Sequence, residues 1–186
     1  MKKAKTNSLR RSSEDILCAG FGGQGIMLMG KLLAQSGLAG GRHVTWMPSY
    51  GAEVRGGTAY SMAKISMGEI ASPVVTSPDI LVVMNQPSLE KYENILKSGG
   101  VLILNKSLIA SPPKRRDIKV VRISMTGLAS KLGNSRCANM IALGAVVKRS
   151  KELSIRNVAS ALKEVFKDKE DLYLMNKKAL EQGYRM

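Results

Sequence analysis

The segment Gly20-Phe21-Gly22-Gly23-Gln24-Gly25 constrains this chain more than any other, because of what stands on either side of it. Before it, Asp15 to Ala19 (DILCA) is a short apolar run of strand type, and after it Ile26 to Leu38 reads as a helix rich in Met and Leu. A strand that turns through glycines into a helix is the opening unit of a parallel α/β sheet. Glycines there permit positive φ angles and let the backbone approach a ligand, and the free N–H groups of the helix start attract a phosphate or carboxylate. The spacing Gly20-x-Gly22-x-x-Gly25 is that of a dinucleotide fingerprint. The fingerprint also asks for a carboxylate about 20 residues further on, to hold the ribose hydroxyls. At that place the chain reads Trp46-Met47-Pro48-Ser49, and the nearest acid, Glu53, comes late. A nicotinamide cofactor is therefore disfavoured. A stand-alone Rossmann-like nucleotide binder stays open, as does a loop whose glycines only allow tight strand–helix packing.

The alternation continues along the chain. His43 to Met47 reads as a second strand, stopped by Pro48-Ser49-Tyr50-Gly51, and Thr58 to Met67 alternates as a strand should. Asp79 to Asn85 (DILVVMN) and Val101 to Leu104 (VLIL) are nearly continuous apolar runs, suited to strands buried on both faces. Between them Ser88 to Lys97 is predicted as a crossover helix, with Leu89, Tyr92 and Leu96 at helical spacing. Ile118 to Ile123 is predicted as a further strand. Helices are then expected over Leu128 to Leu132, over Ala138 to Arg149, behind an N-cap at Ser154, and from Asp171 to Gln182. The fold class expected is α/β, a single Rossmann-like doubly wound, mostly parallel sheet with flanking helices and a helical C-terminal part. Residues 1–13 are expected to be a basic, mobile tail, since Lys2, Lys3, Lys5, Arg10 and Arg11 precede the first acid, Glu14, and residues 14–186 a single domain.

Composition narrows the function. With 29 Lys and Arg against 14 Asp and Glu, the formal net charge is +15, which favours anionic partners. One Trp, five Tyr and two Phe show no interleaving with basic residues, and no helix-turn-helix or zinc signature is present, so nucleic acid is not expected as the partner. A single histidine excludes a His-rich metal site, and Cys18 and Cys137 cannot alone supply four thiolates to zinc or an iron–sulfur cluster. Cys18, inside an apolar strand, reads as a core residue and His43 as a surface or packing residue. No disulfide framework, secretory h-region or apolar run of about 18 residues is found, so the expected location is cytoplasmic, without a membrane.

Pro48 to Thr58 (PSYGAEVRGGT) is the second informative stretch. Glu53 and Arg55, two residues apart, share one face of an extended segment. They could form an ordinary surface ion pair, or Arg55 could grip a carboxylate or phosphate with its planar fork while Glu53 orients it. Chemistry alone leaves both readings open.

Taken together, Gly20-Phe21-Gly22-Gly23-Gln24-Gly25-Ile26 and Pro48-Ser49-Tyr50-Gly51-Ala52-Glu53-Val54-Arg55-Gly56-Gly57 resemble the gamma subunit of the 2-oxoacid:ferredoxin oxidoreductases, with the 2-oxoglutarate type favoured over the pyruvate and ketoisovalerate types. Asn139 with Leu143-Gly144-Ala145 is similar to a third family signature, and the resemblance runs from about Asp15 to about Phe166. It implies oxidative decarboxylation of a 2-oxoacid with coenzyme A, giving acyl-CoA, carbon dioxide and reduced ferredoxin. It also implies that thiamine diphosphate, Mg2+ and iron–sulfur clusters are carried by partner alpha, beta and ferredoxin-like delta subunits, so that this chain binds none of them alone and is inactive by itself. Ferredoxin is the implied electron acceptor, and a homodimer of the isolated chain stays open. No residue of this chain alone is then catalytic. Gly20, Gly22, Gly23, Gln24 and Gly25 are the expected cofactor-binding loop, with Ser49, Tyr50, Gly51, Glu53, Arg55, Gly56, Gly57 and Asn139 close to substrate and coenzyme A. Both loops are expected to face one crevice at the carboxyl ends of the strands.

Overall fold

The computed structural model describes residues 13–49 and 58–186. Their six strands are β1 (Ser13–Phe21), β2 (His43–Ser49), β3 (Thr58–Ser66), β4 (Ile80–Val83), β5 (Val101–Asn105) and β6 (Lys119–Ile123). They form one sheet in the order β2-β3-β1-β4-β5-β6. β1, β4, β5 and β6 run parallel, and β3 is antiparallel to both of its neighbours, β1 and β2. The sheet is thus mostly parallel, as expected, with one reversed strand next to the glycine-bearing one.

The helices are α1 (Ile26–Ala39), α2 (Gln86–Tyr92), α3 (Met125–Lys131), α4 (Ala138–Arg149), α5 (Ile155–Val165) and α6 (Glu170–Tyr184). Strand alternation sorts the core into two layers. Ile16, Cys18, Ile80, Val82 and Ile103 face α1 and α3–α6, while Leu17, Ala19, Leu81, Val83, Leu102 and Leu104 face α2 and the loops beside it. α4 is the most enclosed helix, with every residue from Ala138 to Val147 buried. It meets α6 at backbone distance, since a Cβ on Gly144 would overlap Leu180 O and one on Gly183 would overlap Ile141 O.

Some boundaries differ from the sequence expectation. β2 continues through Pro48 and Ser49 instead of stopping before them. Proline removes one donor, which an outer strand tolerates on its solvent side. The crossover helix opens two residues earlier, at Gln86 on the Asn85 cap, and gives way to a 3-10 turn over Glu93–Ile95. Ser13, assigned to the tail, is the first residue of β1 and pairs with Ser66. The rest of the expected tail lies outside the described residues.

Candidate functional site

The carboxyl ends of β1, β4 and β5 bring the glycine loop, Asn85 and Asn105 to one edge of the sheet. The glycines of the loop play separate parts. Gly20 is a packing residue, because a Cβ there would press on Gln24 Oε1, Ile26 Cδ1 and Met84 Cβ. Gly25 caps α1 at φ 72°, and a Cβ on it would overlap the Asn139 amide. Around Gly22 and Gly23 there is open space. The loop therefore presses against its own protein at both ends and is open in the middle, at the N-terminus of a 14-residue helix whose first turn holds no acidic side chain.

Neutral amides hold this edge together. Gln24 Oε1 accepts from Phe21 N–H at 2.7 Å and from Asn85 Nδ2 at 3.2 Å, so the side chain expected to meet a cofactor is engaged in bracing the loop. Asn85 Oδ1 accepts from Ser88 N–H at 2.9 Å, capping α2. Asn105 repeats the device one strand further along. Its Oδ1 accepts from Ser107, Met125 and Thr126 N–H, and its Nδ2 donates to Thr126 Oγ1 at 2.9 Å. Both asparagines are buried. Neither was singled out from the sequence, although each directly follows an apolar strand run, which is the signal that could have found them.

Asn139, the second residue of α4, is buried and donates through Nδ2 to Gly25 O at 3.4 Å. Its Oδ1 has no hydrogen-bond partner among the described residues, although it lies out of reach of bulk water. Beside it a cleft of about 190 Å³ is lined by Gly23, Gln24, Met84, Leu108, Thr126, Ser135, Arg136 and Ala138. The lining includes one cation and no carboxylate, and Arg136, also unflagged by the sequence, supplies the charge.

The second motif is placed only through its ends. Tyr50, Gly51, Glu53, Arg55, Gly56 and Gly57 lie outside the described residues, but Ser49 closes β2 and Thr58 opens β3. Thr58 pairs with Phe21, and Tyr60 pairs with both Ala19 and Ser49. Adjacent strands lie about 4.8 Å apart, so Ser49 is about 10 Å from Ala19 across β3. The segment between Ser49 and Thr58 thus begins and ends at the glycine-loop edge.

The opposite, amino edge has another character. There a cleft of about 300 Å³ is bordered by Glu14, Asp79, Lys97, Lys119, Arg149, Lys151 and Glu152, among others. Arg42 Nε meets Glu152 at 2.7 Å and Lys97 Nζ meets Asp79 at 2.7 Å. Glu14 is buried and accepts from Ser150 Oγ and from Lys151 N–H at 3.2 Å. Burial pushes its carboxyl above the ordinary range against these bonds, with Asp79 and Glu152 adding to the rise. His43, at the amino end of β2, is exposed on this side. Cys18 is buried in β1, and burial pushes its thiol up to about 12, which leaves it un-ionised and inert. Among the described residues no group of three His, Cys, Asp or Glu side chains could hold a metal ion, and no helix is long and apolar enough to cross a membrane.

Residues 15–186 match the family described as pyruvate ferredoxin/flavodoxin oxidoreductase. Ketoisovalerate oxidoreductase subunit VorA of Methanothermobacter marburgensis is 36% identical over 89% of this chain, which spans only 34% of that relative's length. The 2-oxoglutarate synthase subunit KorC of Methanothermobacter thermautotrophicus is 35% identical over 81% of this chain and 84% of its own length. The crystal structure of the gamma subunit of a keto/oxoacid ferredoxin oxidoreductase from Geobacter sulfurreducens superposes with a TM-score of 0.80 at 29% identity, covering 92% of this chain and 96% of that one.

Proposed function

The chain belongs to the pyruvate ferredoxin/flavodoxin oxidoreductase family as a gamma-type subunit, and from that premise we propose that it serves a cytoplasmic, multi-subunit 2-oxoacid:ferredoxin oxidoreductase acting on 2-oxoglutarate. In the proposed reaction the bond between the carboxylate and the keto carbon breaks and carbon dioxide leaves. Two electrons pass to ferredoxin, and the remaining acyl group forms a thioester with coenzyme A. Thiamine diphosphate with Mg2+ supplies the carbanion chemistry and iron–sulfur clusters supply the one-electron steps. Two cysteines do not fit a cluster, so both groups are assigned to sibling alpha, beta and ferredoxin-like delta chains.

This chain's own part is to receive the anionic end of coenzyme A. The observation that carries this reading is the pairing of Phe21 with Thr58, which sets the residue that follows the 50–57 segment at the glycine-loop edge. The backbone at Gly22 and Gly23 and the start of α1 would take a phosphate, and Arg136 and Arg55 would add charge. Ser49 and Tyr50 would donate hydrogen bonds, Glu53 would orient Arg55, and Asn139 would brace the loop beside the ligand through its bond to Gly25 O. A cleft of about 190 Å³ suits a phosphate-sized part of that molecule, and sibling chains would enclose the rest.

The test is to purify the tagged chain from its native cell and assay what comes with it. Coenzyme A-dependent reduction of ferredoxin, fastest with 2-oxoglutarate, is the expected result. A faster reaction with 2-oxoisovalerate or pyruvate would reassign the substrate and leave the subunit reading intact. Recovery of the chain alone, or ferredoxin reduction indifferent to coenzyme A, would contradict the reading.

A further inference from the structure

β6 is the outer strand of the sheet and, among the described residues, pairs with β5 alone. Lys119 N–H donates to Gly100 O, and Ile123 O accepts from Lys106 N–H. Residues 119 and 123 therefore turn their peptide groups toward β5, and by alternation Val120 and Arg122 turn theirs outward. An outward row of peptide groups is a template for one more strand.

Beside this edge the 106–118 connection leaves two adjoining clefts, of about 450 and 350 Å³, which share Pro112, Pro113 and Arg122. Ile118, Val120 and the two prolines give the larger one an apolar lining, and Val120 is 37% exposed. Cations border both clefts, and neither lining contains a carboxylate. One of these cations, Arg115, is engaged already. It holds Asp117 through both arms of its fork, which keeps that carboxyl far below the usual range, and its own N–H donates to Glu93 Oε1. Lys106, Arg116 and Arg122 form no ion pair among the described residues. Basic side chains on an outer strand are a common guard against edge-to-edge association. That role covers Arg122, but Lys106 and Arg116 stand off the strand and still border the same apolar groove.

We propose that this groove receives an acidic, extended segment of a sibling subunit, which adds to β6 as one further strand. The proposal rests on the subunit reading above, which supplies a partner chain. Main-chain bonds to Val120 and Arg122 would give the segment its register. Arg116, Arg122 and Lys106 would select carboxylates at alternate positions, for which a guanidinium fork is suited.

Hydrogen exchange on the purified native complex and on the free full-length chain tests this directly. The amides of Val120 and Arg122 are expected to exchange about 100-fold more slowly in the complex. Carbodiimide is expected to couple Lys106 to Asp or Glu of one sibling chain. The double substitution Arg116→Glu with Arg122→Glu should lower recovery of sibling chains about tenfold while leaving the free chain's unfolding midpoint unchanged. Val120→Pro is the second variant. It removes an outward N–H without touching the ladder to β5, so it should fold and also lose the sibling. Equal exchange of both amides in the complex and the free chain overturns the proposal while leaving the subunit reading standing. So does full recovery of siblings by both variants, and so does protection of these amides by a DNA duplex but not by the complex. Failure to recover any complex with the wild-type chain overturns both.

Discussion

At the carboxyl edge of the sheet the strands run out into Gly20, Asn85 and Asn105, and the polar contacts are made by neutral amides. At the amino edge they begin near Glu14, Asp79 and Lys119, and the contacts are ion pairs and a buried carboxyl. The difference has a physical logic. An amide fixes a loop without adding net charge, so the helix start at Gly25 keeps its attraction for an anion. At the other edge charge is met by charge, Arg42 by Glu152 and Lys97 by Asp79. An acid at the carboxyl edge would have braced the loop equally well and repelled the ligand.

The comparison can be broken by substitution, starting with the largest effect. Gly25→Ala combines a positive φ with overlap on Asn139, and should cost roughly 3 kcal/mol. Gly99→Ala at the amino edge has φ 73° but open space, and should cost only about 1 kcal/mol. Denaturant midpoints of the two variants check the contrast, and equal losses would mean that the Asn139 contact adds nothing. Asn105→Ala strands the N–H groups of Met125 and Thr126 and should cost about 2 kcal/mol, with no dependence on salt. Arg42→Ala removes a partly exposed cation from Glu152 and should cost about 1 kcal/mol, less at high salt. A loss for Asn105→Ala that shrinks with salt would erase the distinction between the two edges.

The smallest effect is a pH dependence. Burial raises the folded-state proton affinity of Glu14 above the ordinary value near 4.5. As pH rises past 4.5, the unfolded chain gives up this proton before the folded one does, so stability falls until the folded group has ionised too. Glu14→Gln has no such proton. The gap between wild type and variant in thermal midpoint should therefore move in the variant's favour from pH 4.5 toward neutrality. A gap that stays constant over this interval would show that Glu14 is not the group responsible.

Much of this was legible in the sequence, because the strand runs carry their burial in their composition. DILVVMN and VLIL suit buried strands and form β4 and β5, although β4 keeps only Ile80–Val83, and the expected bounds of α4 match at both ends. β2 was cut short because Pro48 is read as a breaker, and only the sheet order shows that it stands on an outer strand. The glycine motif announced its loop but not the division of labour within it. Whether a glycine is there for packing or for access depends on neighbours such as Met84 and Asn139, which come from distant parts of the chain. The bracing role of Gln24 is hidden for the same reason, as its Oε1 accepts from Asn85, 61 residues away. Asn85 and Asn105 went unremarked because an asparagine after a strand is ordinary until the helices it caps are known.

The most direct test of the account is the KM for coenzyme A of the assembled enzyme carrying Gly22→Ala or Gly22→Asp. A side chain at Gly22 meets open space, so both variants should fold and assemble as the wild type does. The account predicts a small rise in KM for alanine and a rise of about tenfold or more for aspartate, whose charge opposes an anion at the start of α1. An unchanged KM for Gly22→Asp, in an enzyme assembled at normal stoichiometry, would contradict the claim that this edge receives coenzyme A.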